Sequence, residues 1–126
     1  MAEDTHHEHL IKELTQLLEP VLTGSPQAVY LYLDDTHKAC NQKFADLIGY
    51  TSPEEWVANE NPIDDVDEED QERTVKAYMN ASTNLKASEE KINLVKKDGE
   101  KISVEVIFVP LSYRNEIFVL HFIERR

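Results

Sequence analysis

The chain has 126 residues, a length that favours one domain with a core of its own. Its net charge of −12 argues against nucleic-acid binding, because phosphates are neutralised by Lys and Arg, which acidic residues here outnumber. The single cysteine excludes an internal disulfide and fits a reducing compartment. We find neither an apolar run of about 18 residues nor a signal-peptide pattern, so we expect a cytoplasmic protein without a membrane partner.

The first predicted element is an amphipathic helix over residues 5–22. Its apolar residues recur at i, i+4, i+7 and i+11 and therefore share one face; they are Leu10, Leu14, Leu17 and Val21. Pro20 can bend or end this helix, because proline removes a backbone hydrogen bond. The apolar face can cover a sheet of the same chain or contribute to a homodimer interface, and the sequence leaves both open.

Three histidines lie near the start of this helix: His6, His7 and His9. His6 and His9 are three residues apart and would share a face, as two ligands of one metal ion must. No cysteine or fixed carboxylate accompanies them in the sequence. We therefore predict that they are solvated surface and that there is no metal site.

Residues 28–34 predict the first strand, because apolar and aromatic side chains alternate along them. Val29, Leu31 and Leu33 fall on one side, and Tyr30 and Tyr32 on the other. After the turn, the segment HKAC, residues 37–40, predicts a short partner strand.

The segment NQKFADLIGYTSPEEW, residues 41–56, carries the end signals of two short helices. Asn41 can cap the first helix, and Gly49 can end it in a left-handed conformation. Ser52 can cap the second helix, with Glu55 three residues later as its capping-box partner. Isolated helices shorter than about 12 residues are marginal in water, so we expect both to pack against another layer.

The acidic segment DDVDEEDQE, residues 64–72, can be a calcium loop or the start of a helix. Counted from Asp65, a calcium loop would need Gly at its sixth position and Glu at its twelfth, where Asp70 and Lys76 stand. A helix over about residues 68–82, capped by Asp67, is the better interpretation. Its spacing predicts a buried face made of Val75, Tyr78, Met79 and Ser82.

Three strands end the chain, at about residues 88–96, 101–111 and 116–124. Asp98-Gly99 predicts a two-residue hairpin turn between the first two, and the next turn runs through residues 113–115. The last strand is apolar on both faces apart from His121, which is typical of a central strand covered on both sides. We therefore predict that it lies in mid-sheet beside the first strand.

This order of elements, together with two motifs, resembles the PAS domain. Residues 41–56 are similar to the family's N-x-x-F-x-x-L-x-G-Y pattern followed by a capped acidic helix, and residues 94–110, LVKKDGEKISVEVIFVP, to its strand–KDG–strand hairpin. The resemblance covers about residues 26–124. It implies an α+β fold, with a five-stranded antiparallel sheet in the order 2-1-5-4-3 and short helices around a cavity on one face. We divide the chain into an N-terminal amphipathic helix and connector, residues 1–24, and a PAS-like domain, residues 25–126.

The resemblance implies a sensory or protein-interaction module in signal transduction. Such a module binds a small molecule or a partner protein, for example a histidine kinase or a regulator, without catalysis. It implies neither haem nor a LOV-type flavin cofactor, because residues 68–82 contain no histidine and the segment NENPIDD, residues 59–65, contains no cysteine. Cys40 lies earlier in the chain and is predicted to be a small buried residue.

By the resemblance, the candidate cavity residues are Leu31, Phe44, Ile48, Trp56, Met79, Leu94 and His121. Each of the apolar residues can equally be ordinary core packing. His121 can donate to a ligand, titrate near neutral pH, or be satisfied by the backbone or solvent.

Two alternatives from other classes stay open. A small enzyme on a curved sheet, like ketosteroid isomerase, would need a general base and oxyanion donors that converge in the cavity. An N-terminal strand at the sheet edge would favour that enzyme. A ligand-free dimerisation scaffold would instead have a closed core and would dimerise through the first helix.

Overall fold

The computed structural model describes residues 2–126, with side chains from Thr5 onward. Its elements are α1 (Ala2–Leu17), α2 (Glu19–Gly24), β1 (Ala28–Tyr32), β2 (Lys38–Cys40), α3 (Gln42–Ile48), α4 (Pro53–Val57), a 3₁₀ helix (Pro62–Asp65), α5 (Glu68–Asn84), β3 (Ser88–Val95), β4 (Lys101–Tyr113) and β5 (Glu116–Arg125). Within residues 2–126, no helix combines the length and the apolar character that a membrane span requires.

The strands form one antiparallel sheet in the order β2-β1-β5-β4-β3, which confirms the predicted order. The last strand, β5, pairs with β1 on one side and with β4 on the other. His121 on β5 therefore stands opposite Tyr30 of β1 and Phe108 of β4. This central position agrees with the sequence of β5, because a strand that is apolar on both faces needs cover on both.

Helices α3, α4 and α5 cover one face of the sheet. The core between them and the sheet is built from side chains such as Phe44, Trp56 and Ala77 on the helices and Val104 and Phe108 on β4. This confirms that the two short helices of residues 41–56 pack against another layer, as helices of this length must.

Helix α1 covers the opposite face of the sheet. Leu10 and Leu14 pack there against a second cluster that includes Val29, Leu31 and Phe118, and they are only 2% and 3% exposed. Of the residues proposed for a dimer interface, these two are therefore already covered by their own chain. Val21 is half-buried, and Leu17 is 64% exposed.

The predicted single helix of residues 5–22 is two helices, because α1 ends at Leu17 and α2 begins at Glu19. The physical reason is Pro20, which lies in the first turn of α2 and has no backbone N–H to continue the ladder of α1. Leu18 closes α1 by donating its N–H to the carbonyl of Leu14 at 2.9 Å. The N–H groups in the first turn of a helix have no acceptor within that helix. Proline is therefore tolerated there, and Pro20 is compatible with the start of α2.

The predicted helix ends of α3 and α4 are present. The Asn41 side chain accepts from the N–H of Phe44 at 2.9 Å, and Gly49 ends α3 with a φ of 86°. Ser52 accepts from the N–H of Glu55 at 3.2 Å. The carboxylate of Glu55 accepts from the N–H of Thr51 at 3.0 Å, one residue earlier than the capping box predicts.

The predicted buried face of α5 is rotated by about one residue from the observed one, although Tyr78 packs half-buried against the core as predicted. Its buried side chains are Thr74, Ala77 and Ala81, whereas Val75 and Met79 are 46% and 51% exposed. The small side chains of Ala77 and Ala81 let α5 approach the sheet closely, and the larger apolar residues then lie at its margin. Apolar spacing alone could not distinguish these two faces.

The start of α5 and the first hairpin turn also differ from prediction. Asp67 precedes α5 but its side chain makes no capping hydrogen bond; it is buried and lies 3.4 Å from the Lys101 ammonium. In the hairpin, Lys96 donates its N–H to the carbonyl of Glu100, so the loop has three residues rather than two. Gly99, with a φ of 91°, supplies the left-handed residue that such a loop needs.

Candidate ligand-binding cavity

A cavity of about 320 Å³ lies between α5, the 3₁₀ helix and the inner face of β1, β4 and β5. Its lining is mostly aromatic and apolar, and consists of Tyr30, Tyr32, Asp35, Pro62, Ile63, Val66, Thr74, Val75, Tyr78, Met79, Phe108 and His121. A volume of this size is at the lower end of the range for small-molecule sites.

The inner wall of the cavity is a stack of rings on neighbouring strands. The rings of Tyr30 and His121 are nearly parallel, with their centres 3.8 Å apart, because the two residues are direct cross-strand partners. Phe108 contacts the other side of His121 edge-on at 5.0 Å. The faces of Tyr30 and His121 therefore cover one another, and the wall offers the cavity a tightly packed aromatic surface.

His121 is a neutral imidazole in this wall. Burial lowers its pKa to about 3, although hydrogen bonding to the backbone carbonyls of Val119 and Tyr30 favours the protonated form. Because a carbonyl only accepts, Nδ1 carries the proton and donates to the Val119 carbonyl at 3.1 Å. Of the roles left open for His121, burial disfavours titration near neutral pH and a backbone partner is present, while its Nε2 keeps a lone pair.

Phenol groups form the outer part of the cavity. The Tyr78 hydroxyl donates to the carbonyl of Leu33 at 3.2 Å, and the Tyr32 hydroxyl donates to Asp35. Burial is the largest cause that raises the pKa of Tyr30, Tyr32 and Tyr78, so all three are neutral at physiological pH. Asp35, which is exposed, contributes the carboxylate of the lining.

Beside the cavity, Asp65 is held by three donors. Its carboxylate accepts from the Tyr50 hydroxyl at 3.2 Å, the Trp56 indole N–H at 3.2 Å and the Asn59 amide at 3.4 Å. Burial raises the pKa of Asp65 to about 6, against the opposing effect of these hydrogen bonds. The network ties the 3₁₀ helix to α4 and thereby fixes one side of the cavity. Sequence analysis missed it, because its members meet only in the folded chain.

Of the residues predicted for the cavity, the structure places Met79 and His121 in its lining. Four others belong to the packed core on the same face but do not line the cavity: Phe44, Ile48, Trp56 and Leu94. Leu31 is a correction, since it is fully buried on the opposite face with Leu10 and Leu14. Its placement follows from strand alternation, which puts it on the side away from Tyr30 and Tyr32.

The lining residues that sequence analysis missed include Tyr30, Tyr32, Tyr78 and Phe108. For the two β1 tyrosines the signal was present, because the alternation of residues 28–34 already separated them from Val29 and Leu31. For Phe108, the pairing of β4 with β5 was needed, since only that register brings it beside His121.

A second depression, of about 700 Å³, lies where α2, β2, α3 and α4 meet. Cys40 is part of its lining, but the thiol is buried, and burial is the largest cause that raises its pKa to about 12. Asn41 there already uses its side chain to cap α3 and to bind β1. Cys40 and Asn41 are thus committed to the fold, and we take the smaller, more aromatic cavity as the candidate site.

The sheet order, the capped short helices and the cavity under α5 define an α+β domain with a five-stranded antiparallel sheet covered by helices on both faces. The sequence profile of the PAS domain matches residues 26–124, and the chain therefore belongs to the PAS domain family. PAS domains are sensory domains of signalling proteins such as histidine kinases. No curated protein sequence matches the chain.

Solved structures of PAS domains share this fold. The PAS domain of an HTR-like protein from Haloarcula marismortui is 21% identical, with 97% of this chain and 99% of that chain covered and a TM-score of 0.63. A PAS domain from Colwellia psychrerythraea is 19% identical, with 90% and 96% covered and a TM-score of 0.70. A PAS domain from a two-component sensor histidine kinase is 16% identical, with 91% and 99% covered and a TM-score of 0.66.

Proposed function

We propose that this PAS domain is a non-catalytic sensor whose cavity under α5 binds a small, neutral, largely apolar molecule. The observation that carries the proposal is a cavity of about 320 Å³ with a mostly aromatic and apolar lining, in which the neutral rings of Tyr30 and His121 form part of the wall. Such a lining favours an apolar occupant, and the neutral imidazole adds one hydrogen-bond acceptor at Nε2. A strongly charged ligand would lose its hydration against a wall of neutral rings, so it is disfavoured.

The same features support a ligand that is neither haem nor a covalently bound flavin. The cavity lining contains no cysteine, and Cys40 is buried elsewhere in an environment that disfavours its thiolate. The histidine in the lining stands on β5 and not on α5, with Nδ1 committed to the backbone. The proposed occupant is therefore held by packing and hydrogen bonds alone.

The experiment is native mass spectrometry of freshly purified protein, followed by a screen of neutral aromatic fragments such as phenols and indoles by protein NMR. We expect a retained molecule or fragment-induced shifts at the amides of Tyr30, Phe108 and His121. A Val75→Trp variant should block the cavity, because Val75 lines it and is 46% exposed, so that the larger ring can be accommodated. Lys76→Trp is the matched control, since Lys76 is exposed on the same helix and does not line the cavity.

Binding that is lost in Val75→Trp and kept in Lys76→Trp would support the proposal. Equal binding by both variants would place the ligand elsewhere. The absence of any retained molecule and of any fragment shift would favour the ligand-free scaffold instead.

An enzyme of the ketosteroid isomerase type is less well supported. An enzyme of this type was expected to have its N-terminal strand at the edge of the sheet. Strand β1 instead lies between β2 and β5. Asp65 has a raised pKa of about 6, as a general base would, but three donors already occupy its oxygens and it does not line the cavity. Asp35, in the lining, is bound by the Tyr32 hydroxyl.

We further propose that the domain acts in a cytoplasmic signalling system, with a histidine kinase or a regulator as its partner. The support is its family and its likeness to the PAS domain of a sensor histidine kinase. A homodimer through α1 remains a prediction, and Leu17 is the residue to test, since it is 64% exposed while Leu14 is buried. Leu17→Glu should convert a dimer to a monomer in native mass spectrometry; a dimer that persists would exclude this interface.

A further inference from the structure

We propose that His7, Asp34 and His37 form a binding site for one divalent transition-metal ion, most suitably Zn²⁺, at the end of the sheet away from the packed core. His7 comes from α1, and the other two come from the turn between β1 and β2. Their donor atoms all lie within 4.8 Å of one another. The sequence predicted only solvated histidines here, because nothing in it shows that α1 brings His7 to this turn.

The spacing of the three side chains fits a shared ion. Nδ1 of His37 lies 2.8 Å from one carboxylate oxygen of Asp34, and Nδ1 of His7 lies 3.5 Å from the other. Two ligand atoms that bind Zn²⁺ tetrahedrally at about 2.0–2.1 Å are roughly 3.3 Å apart, so the His7 separation already fits and the shorter His37 separation, a hydrogen-bond distance, would have to lengthen slightly. Nδ1 of His37 would bind the ion through its lone pair, so its proton would move to Nε2 and the ring would stay neutral.

The turn holds two of the ligands in place. The Asp34 carboxylate accepts from the backbone N–H groups of Thr36 at 2.9 Å and His37 at 2.8 Å. Burial alone would raise the pKa of Asp34, but hydrogen bonds from His37 outweigh it and keep the pKa low, so the group is a carboxylate at neutral pH. The His37 side chain is only 5% exposed, which limits its rotation.

Glu116 is a hydrogen-bond partner of His7 at the ring nitrogen that does not face Asp34. Its carboxylate lies 3.1 Å from Nε2 of His7, on the β4–β5 hairpin. A histidine that binds a metal through one nitrogen usually donates the other N–H to a carboxylate, which fixes the tautomer. With Nε2–H directed at Glu116, the lone pair of His7 is on Nδ1, the atom nearest Asp34. Two carboxylates and two neutral imidazoles also match the charge of a divalent cation.

The choice of ion follows from the donor set. Imidazole nitrogens with one carboxylate suit Zn²⁺ and related transition metals, whereas Ca²⁺ and Mg²⁺ prefer sites made of oxygen atoms. Three protein ligands leave one position of a tetrahedron for water, and Asp34 is sufficiently exposed, at 42%, for solvent to reach it. The ion would tie α1 to the β1–β2 turn.

The test is calorimetric titration of tag-free, chelator-treated protein with ZnCl₂. We expect one Zn²⁺ per chain, at least tenfold weaker binding in His7→Ala and about tenfold weaker binding in Glu116→Gln. A double variant, His6→Ala with His9→Ala, is the matched control, because both residues are exposed on the same helix. His37→Ala tests the buried ligand. If His37→Ala does not fold, the result for His7→Ala decides the test.

A second readout is the melting temperature. Saturating Zn²⁺ should raise it by several degrees in the wild type and in the control, and should not raise it in His7→Ala. The proposal is overturned if the wild type binds no Zn²⁺, if His7→Ala binds as tightly as the wild type, or if the His6/His9 variant loses binding. Competition by an equal concentration of Mg²⁺ or Ca²⁺ would overturn the assignment to a transition metal.

Discussion

The buried neutral imidazole of His121 should make the stability of the fold depend on pH, and a His121→Phe variant should remove that dependence. In the unfolded chain the ring takes up a proton below about pH 6.5, its ordinary value, whereas the folded ring does so only below about pH 3. Between these values the unfolded state binds more protons. The stability that His121 contributes is therefore fully present above pH 6.5 and is lost progressively as the pH falls toward 3.

The expected size of this effect follows from the two pKa values. Well inside this window, each pH unit changes the free energy of unfolding by up to roughly 1.4 kcal/mol, because one proton is bound by the unfolded state and none by the folded state. From pH 6.5 to about pH 4, the wild type should lose roughly 3 kcal/mol that His121→Phe retains. Since small domains are stable by only about 5–15 kcal/mol, a loss of this size is readily measured.

The assay is urea unfolding followed by Trp56 fluorescence at several pH values from 4 to 8. Phenylalanine keeps a ring beside Tyr30 but cannot take up a proton, so the titration is removed. The hydrogen bond to the Val119 carbonyl is lost as well, which lowers the stability at every pH and leaves the slope as the diagnostic quantity. His9→Gln is the control, because it removes an exposed histidine of α1 and leaves the buried ring of His121 in place. If the curves of the wild type and His121→Phe run parallel over this range, His121 is not held neutral by burial.

Asp65 should act with the opposite sign. Its pKa is about 6 in the folded chain and 3.8 ordinarily, so between these values the folded state binds more protons and the wild type loses stability as the pH rises. Because the group keeps some solvent contact, we expect on the order of 2 kcal/mol, less than the full shift would give. Asp65→Asn should show a steeper gain of stability with pH than the wild type, since the effect of His121 is then unopposed. Glu60→Gln, at an exposed residue that is not among the groups acting on Asp65, should not; identical profiles for Asp65→Asn and the wild type would refute the assignment.

Two further predictions concern stability alone, measured as urea midpoints. Lys38→Met should lower the free energy of unfolding by about 2 kcal/mol, because the buried ammonium donates to the Val57 carbonyl at the end of α4 at 2.9 Å. Lys43→Met, at an exposed lysine, is the control and should lower it by less than about 0.5 kcal/mol. Gly49→Ala should cost about 1 kcal/mol, because its φ of 86° is strained for a residue with a Cβ, while Gly24→Ala, with open space around it, should be near neutral. Equal costs within either pair would contradict the reasoning.

The sequence predicted the parts of the fold that local chemistry determines. Asn41, Gly49 and Ser52 carry helix-end signals that do not depend on distant residues, and all three act as predicted. The central place of β5 was predictable as well, because a run of apolar residues on both faces needs cover on both. Leu31 shows that strand alternation must be applied strictly, since it excluded this residue from the cavity.

The rest depends on contacts between distant segments. The buried face of α5 is set by Ala77 and Ala81, whose small size matters only because the helix packs against the sheet there, while Met79 is apolar and still half-exposed beside the cavity. The raised pKa of Asp65 arises from a polar network that joins α4 to the 3₁₀ helix. His7 acquires carboxylate neighbours only when α1 lies across the sheet end.

The two proposed sites meet in the β1–β2 turn, where Asp34 faces His7 and the next residue, Asp35, lines the cavity. A cavity ligand that changes the conformation of this turn would change the affinity for Zn²⁺, and the ion would change the affinity for the ligand by the same factor, because coupling between sites is reciprocal. A change in the turn would also affect α1, because His7 connects α1 to the turn. Zn²⁺ affinity should therefore differ between Val75→Trp, which fills the cavity, and Lys76→Trp, which does not. Equal affinities in these two variants would show that the turn is rigid and that the two sites act independently.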